Sequence, residues 1–208
     1  MPEVPELICR NLPCEGFPAA DAPVWAQAEH AALVDTVTGE APPLSTAVSA
    51  FRDDAQGLLY FKFDGEDTET VSPFRMHDEP IWQGDVFEAF IADEGDLSAY
   101  KELEVSPDDV HFDGLIRFDT FGRRSLNMSY DIANWRTQTT FSPGAHRLVS
   151  VWALPYAAFS QPPQAGGAWR VNFFRVDMSG ANVSLQAWSA TMAPNFHVPE
   201  RFGRLVFA

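Results

Sequence analysis

Apolar and polar residues alternate along most of the chain in short runs, which predicts β-strands rather than helices. Clusters of proline, glycine, aspartate and asparagine separate these runs. The predicted strands are 45–53, 57–64, 85–93, 99–106, 111–118, 134–141, 147–155, 168–177, 184–191 and 204–208. Helical periodicity is confined to residues 23–33 and 154–159. This pattern predicts an all-β protein, an antiparallel β-sandwich with one or two short helices, and not alternating βα units.

The chain of 208 residues is long enough for one large domain with a substantial core. Its proline-rich beginning predicts an extended N-terminal lead-in over residues 1–21, followed by the sandwich over 22–208. Residues 160–168 are rich in proline and glycine and are expected to form a surface loop. A domain boundary at that loop would leave the last strands without a core.

The segment "DVFEAFI", residues 85–91, carries acids within an apolar strand. Both faces of this strand are largely apolar, so it is expected to lie centrally in a sheet with Glu88 buried. The next strand places Glu102 and Glu104 on one side, and strand pairing would set Glu88 beside one of them. A buried carboxylate needs a hydrogen-bonding or charged partner, and Arg170 and Asn172 are the candidates.

Composition indicates a globular protein, with 46% hydrophobic and 13% aromatic residues. The net charge of −15 argues against nucleic acid and anionic membranes as partners. No apolar stretch reaches the ~18 residues of a membrane span. No basic segment followed by an apolar run opens the chain, which predicts a cytoplasmic location unless further residues precede this sequence in the cell. Cys9 and Cys14 could form a local disulfide or remain free thiols, and the sequence does not indicate an oligomeric state.

Seven segments, in order, resemble the family 9 carbohydrate-binding modules and the wider group of DOMON-like, jelly-roll β-sandwiches. They are "VWAQAEHAALVDTVTGEAP", "AVSAFRDDAQGLLYFKFDGED", "IWQGDVFEAFI", "AYKELEVSP", "WRVNFFRVD", "AWSAT" and "FHVPERFGRLVF". The resemblance covers residues 22–208. It implies a module in which two aromatic side chains hold a sugar ring while polar side chains bind its hydroxyl groups.

The resemblance also implies which residues bind. Trp82 corresponds to the first aromatic of this clamp and Phe196 to the second, which is usually a tryptophan in the family. Glu88 corresponds to a carboxylate that accepts hydrogen bonds from sugar hydroxyls. The family's sugar-binding members carry an arginine and an asparagine on the following strand, where this chain has Glu104 and Ser106.

The function predicted is therefore non-catalytic binding of a carbohydrate between Trp82 and Phe196. An aromatic face suits the C–H face of a pyranose, and carboxylates are strong acceptors for its hydroxyls. The other predicted ligand-binding residues are Glu88, Glu104, Asn172, Arg175, Asn182 and His197. No metal ligand or cofactor is predicted, although the acid-rich loops 64–69 and 93–98 leave a structural calcium ion possible.

Two alternatives stay open at the level of sequence. The first is a glycoside hydrolase in which Glu88 and Glu104, on paired strands, lie at the ~5 Å separation of a retaining enzyme. The second is a haem-binding electron-transfer domain, since some DOMON-like proteins ligate haem through methionine with histidine or lysine. The candidate haem ligands are Met76, His77, Met128, Met192 and His197. The family carries no catalytic pair, which favours a protein that is not an enzyme.

Overall fold

The computed structural model describes residues 3–178 and 183–208. These residues form fourteen strands and five short 3-10 helices. The strands are β1 (Glu6–Asn11), β2 (Glu29–Ala32), β3 (Val34–Asp35), β4 (Thr46–Asp53), β5 (Leu58–Glu66), β6 (Val86–Ala92), β7 (Ala99–Val105), β8 (His111–Phe118), β9 (Arg124–Asn127), β10 (Arg136–Ser142), β11 (Arg147–Pro155), β12 (Ala168–Asp177), β13 (Ser184–Ala187) and β14 (Gly203–Phe207). The 3-10 helices are Pro23–Ala26, Ile81–Gln83, Pro143–Ala145, Tyr156–Ala158 and Pro199–Arg201. The predicted all-β sandwich is confirmed.

The strands are arranged in two layers joined through β1. The back layer has the order β10–β11–β5–β4, with β2 also paired to β4. The front layer has the order β14–β12–β6–β7–β8–β9, and β13 extends it beside β12. β1 pairs in parallel with β14 through its first half and with β4 through its second half. The segment 1–21, expected to be an extended lead-in, thus supplies a strand that links the layers.

The main core lies between the two layers and is rich in aromatic rings. Phe63 of the back layer stacks on Phe87 of the front layer, with ring centroids 5.0 Å apart. Phe61 meets Phe173 edge-on at 4.9 Å. Because side chains alternate along a strand, the odd-numbered residues of β6 and β12 face this core. The even-numbered residues, including Glu88, therefore project from the outer face of the front layer.

The two segments predicted to be helical, 23–33 and 154–159, each contain only one short 3-10 turn. The segment 23–33 forms a single 3-10 turn, Pro23–Ala26, and then enters strand β2. β2 pairs with the free edge of β4, and these ladder hydrogen bonds outweigh the local helical pattern. In the second segment only Tyr156–Ala158 is a 3-10 turn, because β11 runs on to Pro155.

Two further sequence questions are answered by the fold. Cys9 and Cys14 are both buried free thiols, so the local disulfide is not formed. Within the described ranges, no helix has the length and apolar character needed to cross a membrane.

Candidate functional site

A cavity of about 320 Å³ opens on the outer face of the front layer. Its volume is at the lower end of the roughly 300–1,000 Å³ typical of small-molecule sites. β6, β7 and β8 form its floor, and the 3-10 turn Ile81–Gln83, strand β9 and the loop before β14 form its walls. The lining residues are Trp82, Glu88, Phe90, Glu102, Glu104, Phe112, Ile116, Arg124, Leu126, Val176, Leu185, Pro194, Asn195, Phe196 and His197.

A single cross-strand row of four residues organises the floor. Phe174 of β12 is paired with Glu88 of β6, Glu88 with Glu104 of β7, and Glu104 with Phe112 of β8. Neighbouring strands are ~4.8 Å apart, so the two phenylalanines lie roughly 14 Å from each other with both acids between them. The central position of β6 and the cross-strand pairing of Glu88, both expected from the sequence, are confirmed.

The two aromatic residues expected to form a clamp rise from opposite ends of this row. Trp82 meets Phe112 edge-on with ring centroids 5.2 Å apart, and 38% of its surface stays exposed. Phe196 stacks on Phe174, with centroids 4.2 Å apart and planes inclined by 15°. The cavity between Trp82 and Phe196 is thus walled by aromatic rings and floored by carboxyl groups.

Three glutamates meet in the floor and are almost completely buried. Glu88, Glu102 and Glu104 are 2%, 7% and 0% exposed, and one carboxylate oxygen from each lies within 4.8 Å of the others. No N–H or hydroxyl in the described part of the chain donates to either oxygen of Glu104, whose hydrogen-bond partner is the neighbouring carboxyl group of Glu102. Burial of acids without donors is costly unless they hold protons or a ligand compensates them.

The pKa values of the three carboxyl groups are raised by their surroundings. Burial raises the pKa of Glu102 to about 7, although the nearby Arg124 opposes the shift. Burial also raises the pKa of Glu88 well above its ordinary value, and the charge of Glu102 adds to the effect. The pKa of Glu104 is raised by burial first and then by the charges of Glu88 and Glu102. The cluster therefore holds protons near neutral pH that solvated glutamates would release.

His197 stands beside the acids as a neutral ring. Its Nδ1 lies 2.7 Å from the Tyr100 hydroxyl, and its ring stacks on Phe90 at 5.1 Å. Burial lowers the pKa of His197 to about 4, and Arg124 lowers it further. With Nδ1 accepting from Tyr100, the hydrogen sits on Nε2, which is 3.7 Å from the Glu102 carboxylate. That separation and the neutral ring make this a polar contact rather than an ion pair.

Two of the residues expected to bind ligand, Asn172 and Arg175, do not line the cavity, and a third cannot be placed. Asn172 is fully buried and exchanges hydrogen bonds with the backbone of Ser189, at 2.8 and 2.9 Å. Arg175 lies on the inner face of β12, between the layers, where its guanidinium contacts Asp67 at 3.0 Å. Asn182 falls outside the described residues. Five of the expected residues do line it, namely Trp82, Glu88, Glu104, Phe196 and His197.

The expected partners of Glu88 also lie elsewhere. Arg170 donates to the backbone oxygens of Phe202 and Glu200 near the last 3-10 turn. The acid at the strand's entrance, Asp85, accepts the backbone N–H groups of Val71 and Met178, each at 2.6 Å. Asp85 therefore ties two loops to β6.

Among the described residues, two groups of side chains have ligand atoms close enough together to hold a metal ion. One is the glutamate cluster of the cavity, and the other is His77, Asp78, Asp113 and Asp131. In the second group, His77 Nε2 is already 2.8 Å from Asp113, which also accepts the backbone N–H of Ile132. In the acid-rich loops, Asp93 forms a buried ion pair with Lys101.

The proposed haem ligands are not brought together with the cavity. The side chains of Met76, Met128 and Met192 are exposed, and none of them lines it. His77 is engaged by the carboxylates of the second acidic group, so His197 alone of the candidate haem ligands reaches the cavity among the described residues.

Some lining residues were missed from the sequence. Alternation along β7 places Glu102 on the same face as Glu104, but the sequence left open which of them lies beside Glu88. In the structure both of them line the cavity with Glu88. Arg124 gave no signal, because the short exposed strand β9 has no apolar alternation. Phe112 is recognisable only once the register of β7 and β8 is known.

Comparison with solved structures identifies the fold. A candidate carbohydrate-binding protein from Bacteroides uniformis superposes with a TM-score of 0.76 and 17% identity, covering 99% of this chain and 100% of that one. A family 9 carbohydrate-binding module from Caldicellulosiruptor kristjanssonii in complex with cellotriose gives a TM-score of 0.65 and 16% identity, covering 97% and 93%. A glucose complex of a family 9 module from the same organism gives 0.64 and 15%, covering 98% and 95%.

Sequence comparison adds a curated relative. A protein of Arthroderma benhamiae named "Extracellular protein" is 29% identical over 163 residues, which cover 72% of this chain and 73% of that protein. No protein-family model matches the sequence. The structural matches extend over nearly the whole of each chain, and the chain has the β-sandwich fold of the family 9 carbohydrate-binding modules.

Proposed function

We propose that this protein binds a carbohydrate in the cavity between Trp82 and Phe196. The observation that carries the proposal is the floor row, in which two acids are flanked by aromatic residues at both ends. A pyranose ring has apolar C–H faces that pack on aromatic rings, and outward hydroxyls that donate to Glu88 and Glu104. Solved proteins of the same fold are complexes with cellotriose and glucose, which supports this class of ligand.

The proposed location is outside the cell. The curated relative from Arthroderma benhamiae is named an extracellular protein, and this gives no support to the cytoplasmic location expected from the sequence.

The proposal is tested by isothermal titration calorimetry with glucose, cellobiose, xylobiose and a broader glycan panel. We expect binding that also perturbs tryptophan fluorescence, because Trp82 is partly exposed in the cavity wall. Trp82→Ala should abolish this binding, since truncation of an aromatic anchor removes its packing against the ligand.

The matched control is Phe121→Ala, which removes an aromatic side chain that is 81% exposed and does not line the cavity. Binding should survive in this variant. Equal loss in both variants, or binding that persists in Trp82→Ala, would contradict the proposed site. Absence of binding across the panel would contradict the proposed function.

Hydrolysis by Glu88 and Glu104 remains a second candidate because the two are cross-strand neighbours with raised pKa values. Both carboxyl groups rise side by side from one floor, whereas a glycosidase places its two carboxyl groups on either side of the scissile bond. We therefore expect no release of nitrophenol from nitrophenyl glycosides. Turnover that disappears in Glu88→Gln would favour the enzyme instead.

A further inference from the structure

The floor of the cavity holds three acids with little positive charge beside them. Three carboxyl groups lie together, and Arg124, on the exposed strand β9, is the cation among the described lining residues. His197 is neutral at physiological pH because burial lowers its pKa. Glu104 is fully buried and lines the cavity, and no N–H or hydroxyl of the described residues donates to either of its oxygens. A ligand that brings positively charged hydrogen-bond donors would allow these acids to ionise.

The three carboxyl groups lie close enough together to share one ammonium group. An –NH₃⁺ group carries three N–H donors in a tetrahedral arrangement. With charge-assisted N···O distances of ~2.8 Å, the three acceptors around one nitrogen lie roughly 4.6 Å apart. One oxygen each from Glu88, Glu102 and Glu104 lies within 4.8 Å of the other two. Each donor of a single ammonium could thus be taken by a different glutamate.

The rest of the cavity suits an organic cation better than a metal ion. Calcium takes 6–8 oxygen ligands, and magnesium keeps several waters. Above the carboxylates the walls are mostly apolar, and a hydrated ion would leave them facing water. The apolar wall residues are Trp82, Phe90, Phe112, Ile116, Leu126, Val176, Leu185 and Phe196. An ammonium attached to a ring with apolar faces would donate to the carboxyl groups of the floor and pack its ring against the apolar walls.

We propose that the cavity selects an amino sugar in its ammonium form, with the charged nitrogen seated among Glu88, Glu102 and Glu104 and the ring between Trp82 and Phe196. This inference rests on the proposed carbohydrate-binding function and names the class of sugar. An N-acetylated sugar lacks the charge and cannot supply three donors, so the cavity distinguishes deacetylated from acetylated glycans.

The test is calorimetric titration of the wild-type protein with three disaccharides of the same β-1,4 geometry. They are cellobiose, the glucosamine disaccharide and its N-acetylated form, which differ in the substituent at C2. At about pH 7 we expect the glucosamine disaccharide to bind at least about tenfold more tightly than the other two, because charge-assisted hydrogen bonds are roughly twice as strong as neutral ones.

Glu104→Gln should reduce this preference to less than about threefold, because an amide keeps the shape of the side chain but not its charge. Glu94→Gln is the matched control, since Glu94 is exposed and outside the cavity. It should retain the full preference for the amine. Circular dichroism of each variant checks that it is folded.

Proton release gives an independent readout. Among the described residues, the titratable groups that line the cavity around the proposed ammonium position are Glu88, Glu102, Glu104, Arg124 and His197. Entry of an ammonium favours the charged carboxylates, so the amine should release protons from the glutamates, and cellobiose should not. Titrations in two buffers of different ionisation enthalpy measure this difference.

Each other result overturns the inference. Cellobiose bound as tightly as the amine, or the acetylated sugar preferred, would refute the amino-sugar inference and leave carbohydrate binding standing. Binding that requires millimolar calcium and is lost with a chelator would mean that the carboxylates hold a metal. Silence with all three sugars and the broader panel would overturn both the inference and the proposed function.

Discussion

The front layer buries charged residues on both of its faces, and the two faces treat them differently. On the inner face, Arg175 lies 3.0 Å from Asp67 and 3.5 Å from Asp177. Its guanidinium also donates to the Thr46 hydroxyl at 3.0 Å and to the backbone oxygen of Glu66 at 2.7 Å. This group pairs its acids with a buried cation, although burial still raises the pKa of Asp67 to about 6.

On the outer face, three glutamates of β6 and β7 meet with raised pKa values and without donors for Glu104 among the described residues. Because Phe174 and Arg175 are neighbours on β12, the two arrangements are separated only by the thickness of one sheet. Burial of a charged residue alone therefore does not mark it as functional. A buried charge paired across the core serves the fold, and a buried charge left unpaired beside a cavity points to a ligand.

The largest effect on stability is expected when the buried ion pairs of Arg175 on the inner face are removed. Arg175→Met should lower the free energy of unfolding by about 3–5 kcal/mol, because it removes the buried cation that faces Asp67 and Asp177. Urea unfolding measures the change. The control is Arg204→Met, whose partner Glu6 is half-exposed, and its cost should stay within about 1 kcal/mol. Similar costs for the two variants would contradict the structural role assigned to Arg175.

The three buried glutamates on the outer face, Glu88, Glu102 and Glu104, should make the free energy of unfolding depend on pH. The pKa of Glu102 is about 7 in the fold, against about 4.3 for a solvated glutamate. The folded state keeps a proton that the unfolded chain releases in this window, so stability falls as pH rises from about 4.5 through 7. The loss from this one group is on the order of 3 kcal/mol.

Glu102→Gln isolates this contribution. His197, with its pKa lowered to about 4, acts in the opposite sense and costs stability as pH falls below 6.5. Subtracting the unfolding free energies of wild type and variant between pH 5 and 8 leaves the contribution of Glu102 together with its coupling to Glu88 and Glu104. A difference that does not change with pH would show that Glu102 titrates normally in the folded protein.

A smaller gain in stability is expected from Glu104→Gln measured near pH 8. The substitution removes a carboxyl group that has no donor among the described residues and is repelled by Glu88 and Glu102. We expect stabilisation by about 1–2 kcal/mol, in the range for relieving an unsatisfied buried group. Glu94→Gln on the exposed loop should change stability by less than about 0.5 kcal/mol. Destabilisation by Glu104→Gln would place this acid among the residues that support the fold.

Trp82→Ala should leave the protein folded while removing ligand binding. The ring contact of Trp82 with Phe112 contributes about 1 kcal/mol beyond the area that the rings bury. The variant should therefore lose somewhat more than about 1 kcal/mol of unfolding free energy, because 38% of the indole surface is exposed and the rest is buried. Complete unfolding of the variant would show that the indole is a core residue and not a cavity wall.

Much of the fold was predictable, because β-strand alternation is a local signal. The runs around 85–93 and 99–106 were read as strands and became β6 and β7, and the cross-strand pairing of Glu88 followed from them. β1 was not recognised as a strand, since its pairing with β14 depends on residues almost 200 positions away. The helix expected over 23–33 failed for the same reason, because a strand edge distant in sequence decides its conformation.

The site was predictable only in part. Trp82, Glu88 and Phe196 were reached through the resemblance, and all three line the cavity. Arg175 lies between the layers and not in the cavity, because alternation along β12 gives its face but not which layer that face meets. The excess of acid became visible only when Glu102 and Glu104 were found buried together with Glu88.

The most direct test of the account is a crystal structure of the protein with the disaccharide that binds most tightly in calorimetry. We expect a sugar ring between Trp82 and Phe196, with a hydroxyl or ammonium within hydrogen-bonding distance of Glu88 and Glu104. A ring bound elsewhere, for instance in the second cavity beside Trp135 and Arg136, would contradict the assignment of the acidic cavity as the ligand site.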